Sequence, residues 1–257
     1  MMVDFRPANV LVRVKGLAES SEAQIIQATG TPKSTKVVRQ LDSQSSWPPT
    51  APEHLYAPID WDVIDCADSQ HSIELDTANV CIAHFAESFD MGDVPEDLGI
   101  PQEYRPPEYM LSKRVGVESD IWALGCTLFE IRTGRKLFEL PHDDPDEHLA
   151  EMVKILGKFP EPWWSTTWEA RRRWFGDVGS DQKVPSDNHY GTSNGVELDE
   201  PSLNEGALER CVAGGPRHLP SAREQALFAD LLRRVLCYDP GRRLSPEEIL
   251  QHPWFLM

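Results

Sequence analysis

The chain has 257 residues, with 42 acidic against 25 basic side chains, a formal net charge of −17, 40% hydrophobic residues and 21 prolines. Such an acidic balance argues against sequence-specific nucleic-acid binding, which needs clustered Lys and Arg on phosphates, and suits a basic protein partner instead. The length allows one sizeable core or two small ones.

The cysteines, Cys66, Cys81, Cys126, Cys211 and Cys237, are scattered, with no CxxC and no His spacing suggestive of zinc. Cys81 and Cys126 lie in apolar runs and read as core thiols in a reducing compartment. The opening MMVDFRPANV lacks the apolar stretch of a signal peptide, and the longest near-apolar run, 121–129, is too short to cross a bilayer. A cytosolic or nuclear protein is expected, with no direct nucleic-acid or membrane contact.

Taken in chain order, residues 10–12 (VLV) and 80–83 (VCIA) read as two short buried strands. The polar insert between them holds Pro32, Pro48, Pro49, Pro52 and Pro58, so its middle, 29–58, is expected to be extended or irregular. Residues 119–133 are apolar nearly all round, which marks a buried helix, closed by Gly134. A shorter helix is expected over 148–156, and a Gly-, Ser-, Asp- and Asn-rich surface loop over 176–202. Ser221 with Glu224, and Ser245 with Pro246 and Glu248, signal the starts of two further helices.

Five motifs carry chemistry. The first is Val3-Asp4-Phe5-Arg6-Pro7-Ala8-Asn9-Val10-Leu11, an Asp and an Asn five residues apart before a strand. The second is Ile82-Ala83-His84-Phe85-Ala86. The third is Tyr104-Arg105-Pro106-Pro107-Glu108, and the fourth Ser119-Asp120-Ile121-Trp122-Ala123-Leu124-Gly125. The fifth is Asp239-Pro240-Gly241-Arg242-Arg243-Leu244-Ser245, followed by His252-Pro253-Trp254-Phe255.

In this order and spacing they resemble the larger lobe of eukaryotic protein kinases, in particular SR-protein-kinase-like enzymes of the CMGC branch found in fungi. The resemblance implies a mainly α, α+β fold: a helical lobe with a short β hairpin. Its parts would be a catalytic loop over 2–11, an insert over 13–79, a degenerate D-F-G strand over 80–88, an activation segment over 84–108 and a helical body over 109–257.

The activity implied is ATP- and Mg2+-dependent phosphorylation of serines in basic, Arg/Ser-rich proteins. Asp4 would accept the substrate hydroxyl's proton, and Arg6 would stand for the lysine that neutralises the transferred phosphate. Asn9 would hold magnesium. His84 replaces the metal-binding Asp of D-F-G, and imidazole suits softer ions than magnesium. Glu108 would pair with Arg243, and Asp120 would accept hydrogen bonds from the backbone around residues 2–5.

The acidic cluster Asp143, Asp144, Asp146, Glu147 and Glu151 is open to two readings, a dock for basic peptides and a solvated helix start. No Gly-rich loop, strand lysine or partner glutamate precedes the loop at residue 4. The chain is therefore expected to be either a truncated kinase or a relative that has lost catalysis, a pseudokinase or peptide-interaction module.

Overall fold

The computed structural model describes residues 4–37, 52–58, 74–95, 98–175, 206–214 and 221–257. The chain divides into two compact units, one made of residues 1–10 with 83–257, the other of residues 11–82. The expected loop at 176–202 lies outside the described residues, as does Cys66.

The smaller unit is built on two pairs of strands. Strand β1 (Val10–Lys15) pairs with β4 (Glu74–Ile82), and β2 (Ser34–Lys36) runs antiparallel to β3 (His54–Tyr56) with Ser34 opposite Tyr56. Between β1 and β2 lies helix α1 (Glu22–Thr29). Ser21 caps it in a reciprocal box with Gln24, whose side chain returns to the Ser21 N–H at 2.8 Å.

The strands at 10–12 and 80–83 exist but are not buried: Leu11, Val12, Val80 and Ile82 are exposed. A two-stranded ribbon has too little area to enclose its own side chains. Cys81, expected in the core, is exposed for the same reason.

The larger unit is helical, as its apolar periodicities predict. Helix α2 (Pro107–Ser112) precedes the central α3 (Val117–Thr133), which ends on Gly134 in the left-handed region at φ 78°. Helix α4 (Pro145–Leu156) starts three residues before the expected 148 because Asp144 caps it, accepting from the Asp146 N–H at 2.9 Å. Helices α5 (Ala207–Ala213), α6 (Ala222–Val235) and α7 (Pro246–Leu250) complete it.

Ser245 and Glu248 form the expected capping box on α7. On α6 only half of one forms. Ser221 accepts from the Glu224 N–H at 3.1 Å, but the Glu224 carboxylate turns to Arg132 on α3, at 2.7 Å from its Nε.

The core centres on α3. Trp122 and Phe129 are fully buried, each stabilising the fold by roughly 1.5–3 kcal/mol. Trp122 stacks on Phe138 with ring centres 6.0 Å apart, and Cys126, four residues on, is buried as a core thiol should be. Gly125 explains the small residue of the fourth motif. A Cβ there would meet Val235 Cγ1 and Leu236 Cδ2 at 2.8 Å, so these side chains would have to shift for any larger residue where α3 crosses the end of α6. Trp254 of the last motif stacks on Phe228 of α6 at 4.7 Å.

Candidate active site

The segment carrying Asp4 is closed by its own side chains. Pro7 opens a single 3-10 turn, Pro7–Asn9, for which its fixed φ is suited. The Asn9 N–H donates to the Arg6 carbonyl at 2.9 Å. This turn swings the Asn9 amide back over Asp4, where Nδ2 donates to the Asp4 carbonyl at 2.6 Å and to Asp4 Oδ2 at 3.0 Å. Arg6 Nε reaches the same Oδ2 at 3.0 Å.

The backbone N–H of Ala83 donates to the Asn9 carbonyl at 2.9 Å, which sets the next residue beside the loop. That residue is His84, in the left-handed region at φ 69° and ψ 40°, which Asn, Asp and His tolerate better than most side chains. Its Nδ1 lies 3.5 Å from Asp4 Oδ2.

Asp4, Arg6, Asn9 and His84 are thus brought together around one carboxylate oxygen. Asp4 is 1% exposed, and its other oxygen, Oδ1, is buried without a hydrogen-bond partner among the described residues. Arg6 and His84 are partly open to solvent.

Magnesium takes oxygen ligands in near-octahedral array. Here Asp4 Oδ2 is occupied by nitrogen donors, the Asn9 amide nitrogen faces inward, and position 84 offers imidazole. No group of three or more His, Cys, Asp or Glu side chains gathers as a cation site among the described residues. The set does not fit magnesium.

The scaffold around the site is intact. Glu108 and Arg243, 135 residues apart, form a two-pronged pair: Nη1 to Oε1 at 2.8 Å and Nη2 to Oε2 at 2.7 Å. Both side chains are buried. Arg243 also donates to the Glu118 carbonyl at 2.7 Å and the Cys237 carbonyl at 2.9 Å, and its guanidinium lies 5.1 Å from the centre of the Trp122 ring. Ser119 Oγ completes the Glu108 shell at 3.3 Å.

Asp120 stands half-buried in the first turn of α3. Residues 1–3, part of its expected partner segment, lie outside the described residues. Two turns on, Thr127 Oγ1 donates to the Phe5 carbonyl at 3.0 Å. The motif reading missed Thr127. The available signal was a hydroxyl placed seven residues after Asp120, on the same face of the helix.

The third motif also rests on α3, because the Tyr104 hydroxyl bonds the Glu130 carboxylate. Burial, and then that carboxylate, push the Tyr104 phenol well above its ordinary range. Glu103 takes Lys136 as partner. Burial alone would raise its carboxyl, but the Lys136 bond, its own backbone, and the Lys136 and Arg6 charges together hold it below the usual range.

Asp144, Asp146, Glu147 and Glu151 of the acidic cluster have local partners. Asp144 caps α4 and lends its carbonyl to Gln102 Nε2 at 2.8 Å. Asp146 accepts from Trp168 Nε1 at 2.9 Å and lies 3.8 Å from Arg173. Glu147 faces His142 at 3.5 Å, and Glu151 pairs with Lys154.

Known proteins resemble this chain over part of its length. The protein kinase domain family model aligns with residues 83–255. The dual specificity protein kinase lkh1 of Schizosaccharomyces pombe is 36% identical over 154 residues, 60% of this chain and 20% of that protein. The serine/threonine-protein kinase AFC3 of Arabidopsis thaliana is 34% identical over 154 residues, 60% of this chain and 35% of that protein. The dual specificity protein kinase CLK4 of Mus musculus is 33% identical over 155 residues, 60% of this chain and 28% of that protein. The chain therefore spans only about a fifth to a third of these relatives' length. With a family match over most of its residues, on the helical scaffold just described, the chain belongs to the protein kinase domain family.

Proposed function

We propose that this chain is the protein-binding lobe of a serine/threonine kinase for basic, Arg/Ser-rich proteins, and that it transfers phosphate no faster than its own Asp4→Asn variant. The observation that carries the second half is the side chain at position 84. Where the family places a metal-binding carboxylate, His84 stands 3.5 Å from Asp4 Oδ2, an oxygen that already accepts from Arg6 and Asn9.

Positioning and electrostatics are nearly all of the catalysis in phosphoryl transfer, and one such charged group commonly contributes about 10²–10³ in rate. The protein kinases among its relatives support the ancestral activity. The net charge of −17 supports a basic substrate, with Asp144, Asp146 and Glu147 as the acidic side chains that would meet it.

The whole chain is read as one kinase-type domain carrying 13–79 as an insert, in keeping with the separate unit over 11–82. A cytoplasmic or nuclear setting agrees with the free thiols at Cys81, Cys126, Cys211 and Cys237. Among the described residues no helix is long and apolar enough to cross a membrane.

The test is transfer of radiolabelled phosphate from ATP to an Arg/Ser peptide, in magnesium and then in manganese, beside fluorescence anisotropy of the same peptide. Binding without incorporation above the Asp4→Asn background is the expected result. Incorporation that disappears in Asp4→Asn would refute the reading. If it appears with manganese alone, His84 serves as a ligand for a softer ion, as imidazole can.

A further inference from the structure

Thr127 is a hydroxyl inside the buried central helix, 1% exposed and flanked by Cys126 and Leu128. A threonine in a helix commonly returns its hydroxyl to the preceding turn of its own backbone. This one donates out of the helix, to the carbonyl of Phe5, 122 residues earlier. Phe5 follows Asp4 directly, so the hydroxyl holds the peptide next to the one residue on which the whole site converges.

The geometry of α3 explains how the hydroxyl gets there. Asp120, Ala123 and Thr127 recur at the three- and four-residue spacing of one helix face. Ala123 is 1% exposed. The loop is otherwise braced from within, by the Asn9 amide on Asp4 and the Asn9 N–H on the Arg6 carbonyl. Phe5 packs its ring on the core. Beside the Ala83 N–H on the Asn9 carbonyl, the Thr127 hydroxyl adds a directional bond from α3 to this loop.

We infer that Thr127 is a positioning residue, whose hydroxyl fixes the register of the Asp4 loop against α3 and so sets Asp4 against His84. This does not depend on whether the chain transfers phosphate.

The test uses the full chain with 13C-labelled histidine, compared with Thr127→Val and Thr127→Ser. The His84 ring signals are identified by their loss in His84→Ala, and amide exchange is followed in residues 4–9 and in α6. Thr127→Val is expected to shift the His84 signals toward their positions in Asp4→Asn. It should also speed exchange of the Asn9 amide by roughly five- to tenfold, the worth of one lost buried hydrogen bond, while α6 exchange stays as it was. Thr127→Ser is expected to restore both. Unmoved His84 signals in Thr127→Val would overturn the inference. So would an equal loss of protection in α6, because the hydroxyl would then serve the core at large.

Discussion

Replacing Arg243 with methionine removes a guanidinium that makes four hydrogen bonds and keeps most of the apolar stem. Two of those bonds go to Glu108 and one each to the carbonyls of Glu118 and Cys237. Glu108 would stay behind, 4% exposed, with Ser119 Oγ at 3.3 Å as its remaining side-chain partner. Leaving one charge of a buried pair uncompensated costs about 3–5 kcal/mol, which for a chain of this size lowers Tm by roughly 6–20 °C.

Glu108→Gln is gentler, at about 1.5–3 kcal/mol. Arg243 keeps its two carbonyls and the Trp122 face, and the new amide oxygen can still accept one of its N–H groups. The double variant should then cost about 1–3 kcal/mol less than the sum of the single changes, because its buried carboxylate is gone along with the guanidinium. Urea unfolding followed by tryptophan fluorescence measures all three. Costs that simply add, or an Arg243→Met cost below about 1 kcal/mol, would show that the pair is a contact without energetic coupling and would refute the reasoning.

His148 yields a pH prediction. It is fully buried, both ring nitrogens lack hydrogen-bond partners among the described residues, and burial, then the Arg105 charge, push its pKa down to about 3 from 6.5. The unfolded chain binds the proton first, so His148 costs no stability above pH 6.5. As pH falls below that value stability should drop by about 1.4 kcal/mol per unit, and a His148→Leu variant should flatten the slope in denaturant melts between pH 6.5 and about 4.5, above the carboxylate range. Gly125→Ala should destabilise by about 1–3 kcal/mol through overpacking against Val235 and Leu236, read as a lower urea midpoint at unchanged m-value.

What could be read from the sequence followed from how locally each feature is encoded. The buried α3, its glycine cap and the Ser245 box are written within a few neighbouring residues, and the structure has them in place. The Glu108–Arg243 pair is not local at all. It was legible only because the motifs containing the two residues resemble a known family, and in the structure the two side chains meet.

The departures have physical causes. Helix α1 has no buried residue, so no apolar stripe announced it, and the Ser21–Gln24 box that starts it went unread. The strand residues Val80 and Ile82 carry the apolar signature of a core without being in one, since composition cannot count the layers packed on a strand. At Glu224 a tertiary partner, Arg132, outcompeted the local box. Thr127 escaped notice because a buried threonine reads the same whether its hydroxyl bonds its own helix or a loop 122 residues away.

The clasp between positions 108 and 243 also has a consequence for synthesis. A ribosome adding about 5–20 residues per second needs roughly 7–27 s to travel the 135 residues between Glu108 and its partner. During that interval α2 and α3 are outside or leaving the exit tunnel, with an uncompensated carboxylate and with Trp122 lacking the cation that later covers its face. Val235 and Leu236, which close over Gly125, arrive only seconds before the clasp. Between the synthesis of α3 and that of Arg243 the nascent chain carries this helix without the groups that shield it. Chaperone engagement should be concentrated there, ending when Arg243 emerges.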